Sequence, residues 1–234
     1  MAFPSTRHSI LDLARHGAGE LRHAALSELV AAYWKPVYQY IRLKWQRDPA
    51  DAEDLTQSFF VSLLERPLLE RYDPTKASFR TYLRLCIDGH AGHAHEASRR
   101  LKRGGGQSAF SLDFPGAERE LAPLLHTSVS LDELFHREWQ RHMFSLAVAD
   151  LRAACDAQNK STQFAIFAAY DLAEDPRPTY STLAGQHSIP VTQVTNYLAW
   201  ARRELRRLLL ERLERISPSE QQYRADARQL LGDD

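Results

Sequence analysis

The chain has 234 residues, 44% hydrophobic and 26% charged, a composition typical of a globular protein of one or two domains. Its 30 Lys and Arg residues balance its 30 Asp and Glu residues, which argues against a protein that coats nucleic acid by bulk attraction. The sequence has no apolar run long enough to span a membrane, no apolar segment of signal-peptide type and only two cysteines, so we expect a cytoplasmic protein that neither enters a membrane nor depends on disulfides.

Apolar residues recur three and four positions apart along most of the chain, which is the spacing of one face of a helix. Leu26, Leu29, Val30 and Tyr33 follow this pattern, and no segment alternates convincingly as a strand does. The sequence therefore predicts an all-α fold. It predicts four segments, namely a helical domain at 20–103, a flexible acidic linker at 104–129, a second helical domain at 130–215 and a C-terminal tail at 216–234.

An acidic helix start, "DAEDLTQSFFVSLLE", begins at Asp51. Asp51 is a candidate helix cap, and acids in a first turn typically stabilise a helix by about 0.3–1 kcal/mol each. Glu53, Asp54 and Gln57 share one polar face, because they are spaced three and four apart. Together with Asp51 they form what we call the acid stripe, which could also dock a basic partner helix.

A basic segment follows at 79–103, with six basic and two acidic residues. A charged helix C-terminus would explain the final arginines and lysines, since they suit the helix dipole. Aromatic rings beside basic side chains are also typical of surfaces that stack unpaired bases. The candidate nucleic-acid contacts are Phe79, Arg80, Tyr82, Arg84, Arg99, Arg100, Lys102 and Arg103.

The helical spacing is interrupted at the glycines of "KRGGG", from Gly104 onward, and resumes at Ser130. Glycines, prolines and scattered serines in this stretch favour a linker, to which Phe110, Leu112 and Phe114 add short apolar anchors. Ser130 followed by Glu133 matches a capping box, so a helix is predicted to begin there.

The segment "YSTLAGQHSIPVTQVTNYLAWARRELRRLLLERL" predicts a helix, a tight turn and a second helix. This order is that of a DNA-binding helix-turn-helix, in which the start of the second helix can enter the major groove. An ordinary helical hairpin with a basic face fits the same spacing. If DNA is bound, the candidate contacts are Thr192, Gln193, Thr195, Asn196 and Tyr197 for base edges, and Arg202, Arg203, Arg206 and Arg207 for phosphates.

Three histidines, His90, His93 and His95, form the most obvious candidate for a metal site. Their spacing is loose and no cysteine lies near them, so solvated histidines are expected instead. The sequence has no nucleophile and base pattern and no phosphate-binding loop. We therefore predict no catalytic site, no metal and no cofactor.

Taken together, "DAEDLTQSFFVSLLE", "FRTYLRLCIDGHAGHAHEASRRLKR" and the helix-turn-helix resemble a bacterial RNA polymerase sigma factor. The type they resemble is the compact extracytoplasmic-function (ECF) sigma factor, which has only domains two and four. "RYDPTKASFRTYL", "KRGGG" and "SPSEQQYRADARQLL" are similar to a subgroup abundant in planctomycetes and acidobacteria, whose members often accompany serine/threonine kinases.

This resemblance implies a role for each segment. The acid stripe would dock on the clamp helices of the largest subunit of core RNA polymerase. Residues 79–103 would melt and read the minus-ten promoter element, and the helix-turn-helix would read the minus-thirty-five element. The linker would run through the RNA exit region, and an anti-sigma factor or a serine/threonine kinase is a possible regulatory partner.

Two other functions remain open at this point. One is a helix-turn-helix regulator that binds DNA without polymerase, which the acid stripe disfavours. The other is a sigma-like or kinase-responsive adaptor that does not read promoters. The adaptor stays open because the predicted recognition helix has no Lys or Arg at its start, where Thr195, Asn196 and Tyr197 stand.

Overall fold

A computed structural model describes residues 10–65, 67–98, 112–121 and 130–232. These residues form helices and connecting turns and contain no strand, which confirms the all-α prediction. The helices are α1 (Ile10–His16), α2 (Gly19–Lys44), α3 (Pro49–Glu65), α4 (Phe79–Ser98), α5 (Phe114–Leu121), α6 (Leu131–Ala157), α7 (Ser161–Asp171), α8 (Tyr180–His187), α9 (Val191–Ile216) and α10 (Glu220–Leu231).

The chain divides into two compact units. Unit 1 contains the described parts of residues 1–142 and 215–230, and unit 2 contains those of 143–214 and 231–234. The start of the second domain at Ser130 stays a prediction, and the two units divide the chain after His142. The start of α6 belongs to unit 1 since Trp139 stacks on Tyr33 with ring centroids 6.2 Å apart, and Phe135 meets Tyr40 edge to face at 5.7 Å.

Helix α2 is the centre of unit 1 and contacts α1, α3, α4 and α5. Leu29, Val37 and Tyr38 are fully buried, and Tyr33 and Ile41 are nearly so. A helix that is apolar on most sides must be surrounded by other elements, and this explains why the other helices pack around α2.

Helix α5 lies within the segment predicted to be a flexible linker. Phe114, predicted as an anchor, is buried with its ring centroid 5.0 Å from that of Tyr38. Glu118 of the same helix accepts hydrogen bonds from the Tyr38 hydroxyl at 2.7 Å and from Arg42 Nε at 2.9 Å. Residues 112–121 thus differ from the prediction, because apolar and charged partners on α2 hold them. Residues 104–111, including Phe110, and residues 122–129 lie outside the described part of the chain.

Unit 2 contains α7, α8, most of α9 and the second half of α6. The α8–α9 segment, which the sequence predicts to be a helix-turn-helix, is ordered locally by two features. Thr179 Oγ1 caps α8 by accepting a hydrogen bond from the Thr182 amide at 3.1 Å, and Ser188 reverses the chain in a left-handed conformation with φ 52°. Val194, Leu198 and Ala201 of α9 are buried, as their spacing predicts.

Candidate interaction surfaces

The acid stripe lies on the first two turns of α3. The helix is capped by Asp48, whose Oδ1 accepts a hydrogen bond from the Asp51 amide at 2.9 Å, and Pro49 occupies the first position. The interpretation of Asp51 as the cap is therefore corrected. Its carboxylate has no capping role, and 59% of its side chain is exposed, with Arg47 Nη1 3.7 Å away.

The other members of the stripe differ in exposure. Asp54 is exposed, whereas Glu53 and Gln57 are half-buried. Burial raises the pKa of Glu53, and the negative charges of Asp54 and Glu118 raise it further. A carboxylate of α5 therefore contributes to the same negative field, although Arg42 pairs with Glu118 and offsets part of its charge. The stripe is a negative surface whose exposed acids are Asp51 and Asp54.

The start of α4 presents little of its predicted nucleic-acid surface. Phe79 is 2% exposed, and its ring centroid lies 5.4 Å from that of Tyr33 and 5.2 Å from that of Tyr72. The Tyr82 hydroxyl donates a hydrogen bond to the carbonyl of Leu68. The expectation that Phe79 is offered to unpaired bases is corrected, since Phe79 is a core residue, whereas the role of the half-buried Tyr82 stays a prediction.

The two arginines of this segment are paired within the chain. Arg80 Nη1 and Nη2 bind the carboxylate of Asp226 at 2.9 and 2.6 Å, and the guanidinium carbon lies 4.1 Å from the centroid of the Trp139 ring. Arg84 forms an ion pair with Asp132. The remaining predicted contacts, Arg99, Arg100, Lys102 and Arg103, lie outside the described residues.

The histidines of α4 do not converge. His90 Nε2 lies 2.9 Å from Ser58 Oγ, and its ring meets Phe59 edge to face. His93 is exposed, and the side chain of His95 is not described. Within the described residues, no group of histidine, cysteine or acidic side chains could hold a metal ion, and no helix has the length and apolar character needed to cross a bilayer.

The start of α9 is more open than the start of α4. Thr192, Thr195 and Asn196 are exposed. Gln193 and Tyr197 are half-buried and bonded to each other, with Gln193 Nε2 2.5 Å from the Tyr197 hydroxyl oxygen. This bond uses part of the Gln193 amide, so Asn196 is the better presented of the two amides.

The arginines of α9 are not equivalent. Arg202 binds Asp171 through Nε at 2.9 Å and Nη2 at 2.8 Å. Arg207 bridges Glu204 and Glu211, while Arg206 is half-buried. Arg203 is exposed and has no ion-pair partner in the part of the chain that the structure describes. It is the arginine of this set best placed to meet a phosphate.

A comparison with known families finds a match within unit 1. Residues 29–102 match the family model for sigma-70 region 2. The match covers α2 from Leu29 onward, all of α3, and α4, so it includes the acid stripe and the basic segment as far as Lys102. It supports a sigma factor family for the chain. No curated protein and no solved structure matches the sequence.

Three acids that organise region 2 were missed by the sequence reasoning. Asp88 accepts hydrogen bonds from Lys44 Nζ at 2.7 Å and from the Tyr40 hydroxyl at 3.2 Å, which ties α4 to the end of α2. Glu118 and Asp226 bind Arg42 and Arg80 from segments outside region 2. Asp88 lies within the basic segment and could have been suspected, whereas no sequence signal pairs the other two acids with their arginines.

Proposed function

We propose that this chain is a sigma factor of the ECF type, which binds core RNA polymerase and directs it to promoters. The observation that carries the proposal is the region 2 match over a unit whose acid stripe faces solvent at Asp51 and Asp54. Exposed charge on a rigid helix costs little to bring to a basic partner, since neither carboxylate is held in a buried ion pair. The chain is then a binding protein of the cytoplasm and not an enzyme.

The two units would divide promoter recognition between them. Region 2 would contact the minus-ten element through α4, and the start of α9 would read the minus-thirty-five element as a recognition helix. Thr195 and Asn196 are exposed where base edges would lie, and Arg203 follows where a backbone phosphate would lie. A controlling anti-sigma factor or serine/threonine kinase would act on this protein before it reaches polymerase.

The adaptor that does not read promoters is favoured by one observation, namely the internal pairing of Arg80 and Arg84. Transcription in run-off assays separates it from the sigma factor. Purified protein added to core polymerase on genomic fragments should produce transcripts with defined starts. An adaptor would bind polymerase and yield none, and a DNA-binding regulator would bind promoter duplex tightly without polymerase.

The docking role of the stripe is tested by charge reversal at Asp54, one of its two exposed acids. We expect Asp54→Arg to abolish capture of core polymerase, because a partner that carries basic residues would then meet like charge, whereas Asp54→Ala should weaken capture only in part. The matched control is Glu70→Arg, the same reversal at an exposed residue in the turn after α3. Capture is measured by pull-down, with thermal unfolding to check the fold. Full capture by Asp54→Arg would remove the stripe from the interface.

A further inference from the structure

Helix α10 is held to unit 1 by a buried carboxylate. Asp226 is 2% exposed, and both of its oxygens bind the Arg80 guanidinium. Gln222, one turn earlier, donates from Nε2 to Asp226 Oδ1 at 2.8 Å. The guanidinium lies on the Trp139 ring, so an aromatic face and a carboxylate enclose it together.

The other side chains of α10 are only half-buried or exposed. Asp226 is the one fully buried residue of the helix, whereas Tyr223 and Leu230 are half-buried and Ala225 and Arg228 are exposed. A helix that docks through large apolar side chains would expose them on leaving, but α10 has no such side chain in the core. The polar contacts that attach α10 include the Asp226 carboxylate and a hydrogen bond of 2.7 Å between His136 Nε2 and Gln229 Oε1.

Arg80, which Asp226 of α10 binds, belongs to the predicted nucleic-acid surface. Arg80 is in the first turn of α4, inside the matched region 2. The guanidinium of an arginine donates the same pair of parallel N–H bonds to a carboxylate or to a phosphate. While Asp226 accepts both bonds, Arg80 cannot bind a phosphate of DNA.

We infer that α10 is an intramolecular competitor of promoter DNA, whose Asp226 carboxylate occupies the Arg80 site that a DNA phosphate takes when α10 is released. This inference rests on the proposed function, because it needs region 2 to contact DNA. Competition at one site is reciprocal, so DNA binding loosens α10 to the same extent that α10 weakens DNA binding. The helix thereby sets the affinity of region 2 for DNA before any promoter sequence is read.

The test compares full-length variants bound to core polymerase, with a fluorescein-labelled single-stranded DNA of mixed sequence as the probe. Asp226→Asn removes the charge that competes for Arg80 and keeps the side-chain shape. Glu220→Gln is the matched control, because it removes one negative charge from the same helix at a residue paired with Arg224 instead. Arg80→Gln, alone and combined with Asp226→Asn, tests whether any increase in affinity for the probe requires Arg80.

We expect Asp226→Asn to bind the probe about tenfold more tightly, as one charge-assisted contact is gained. The slope of log affinity against log salt should steepen by about 0.7, the value for one phosphate on a single strand. Glu220→Gln should change affinity by less than about twofold, because the arginine it releases, Arg224, lies on α10 and outside the predicted nucleic-acid surface. The double variant should bind like Arg80→Gln. Unchanged affinity and slope in Asp226→Asn would overturn the inference and show a purely structural ion pair.

Hydrogen exchange of the wild-type protein gives a second readout that does not depend on the variants folding. Adding the probe to the polymerase complex should speed exchange of the α10 amides, whereas amides of α7 serve as an internal reference. Unchanged protection of α10 at saturating DNA would overturn the inference. Failure of the proposed function is separate, because then the wild type would give no promoter-dependent transcripts, whereas failure of the inference alone leaves transcription intact.

Discussion

The starts of α4 and α9 carry the two predicted DNA-binding surfaces, and they differ in how their side chains are used. At α4 the aromatic ring of Phe79 is in the core, and Arg80 is held by an acid from another helix. At α9 Asn196 and Arg203 are exposed. Both segments contain aromatic residues and arginines, although the arginines of α9 come only after its polar first turns.

The difference shows that basic and aromatic side chains can contact DNA only where no other part of the chain already buries them or pairs with them. Arg80 has an acidic partner 146 positions away along the sequence. Arg202 has one 31 positions away, and its neighbour Arg203 has none among the described residues. Adjacent arginines can thus have different roles, and variants that separate them are the sharpest tests of the comparison.

The largest expected effect is at Phe79. Replacing this buried ring in Phe79→Ala should lower the free energy of unfolding by about 3–5 kcal/mol, through lost burial and the cavity left behind. Leu85→Ala on the same helix is the control, since Leu85 is 62% exposed and should change stability by roughly 0.5 kcal/mol or less. Chemical denaturation measures both. If Phe79→Ala kept its stability but bound single-stranded DNA more weakly, Phe79 would be a DNA contact and not a core residue.

The second effect concerns base preference at α9. Asn196→Ala should relax discrimination at one or two base positions by roughly 1–3 kcal/mol, because an exposed amide can contact adenine through two hydrogen bonds. Selection of promoters from a randomised library, with the holoenzyme, would measure it. Gln193→Ala should have the smaller effect, because its amide is already bonded to Tyr197. Indifference to both changes would remove α9 from base recognition.

A smaller effect should distinguish two neighbouring arginines. Arg203→Ala should weaken binding to all promoter sequences alike and lower the salt slope by about 1, as expected for one lost phosphate contact. Arg202→Ala should change the slope less, since Asp171 already holds that guanidinium. Filter binding over a salt series gives both values. Equal slopes for the two variants would mean that the Asp171 pair opens on DNA.

The smallest effect is a pH dependence of unit 1 at His136. Burial and the nearby Arg80 charge lower the pKa of His136, against weaker opposing effects of Gln229 and Asp226. A base with a lowered folded pKa is favoured in its neutral form, so its contribution to stability is present above the unfolded pKa of about 6.5 and is lost as pH falls through the folded value.

We therefore expect the melting temperature to fall between pH 7.5 and 5.5, and His136→Gln to reduce that fall by about 2 °C. The control is His23→Gln, which changes an exposed histidine of α2 and should leave the fall unchanged. Scanning calorimetry of the full chain at several pH values measures the difference. If the melting temperatures of wild type and His136→Gln fell equally with pH, the acid sensitivity would belong to other groups.

Much of the local structure was predictable because it depends on neighbours in sequence. Helical periodicity identified the inward positions Val194 and Leu198 of α9, and Ser130 caps α6 by accepting a hydrogen bond from the Glu133 amide at 3.2 Å. The helix at 114–121 was missed, because it is short and its stability comes from contacts with α2. Short helices are marginal by themselves and form where tertiary packing supports them.

The sequence by itself determined the helical class, the positions of the polar and apolar helix faces, and the acid stripe, because each depends on spacing within a few turns of one helix. Only the tertiary structure decided which charges remain available to a partner. Asp48 and not Asp51 caps α3, and Asp226 of a predicted tail neutralises Arg80 of region 2. Ion pairs of this kind join residues that are far apart in sequence, and a buried guanidinium requires such a partner wherever the fold provides one.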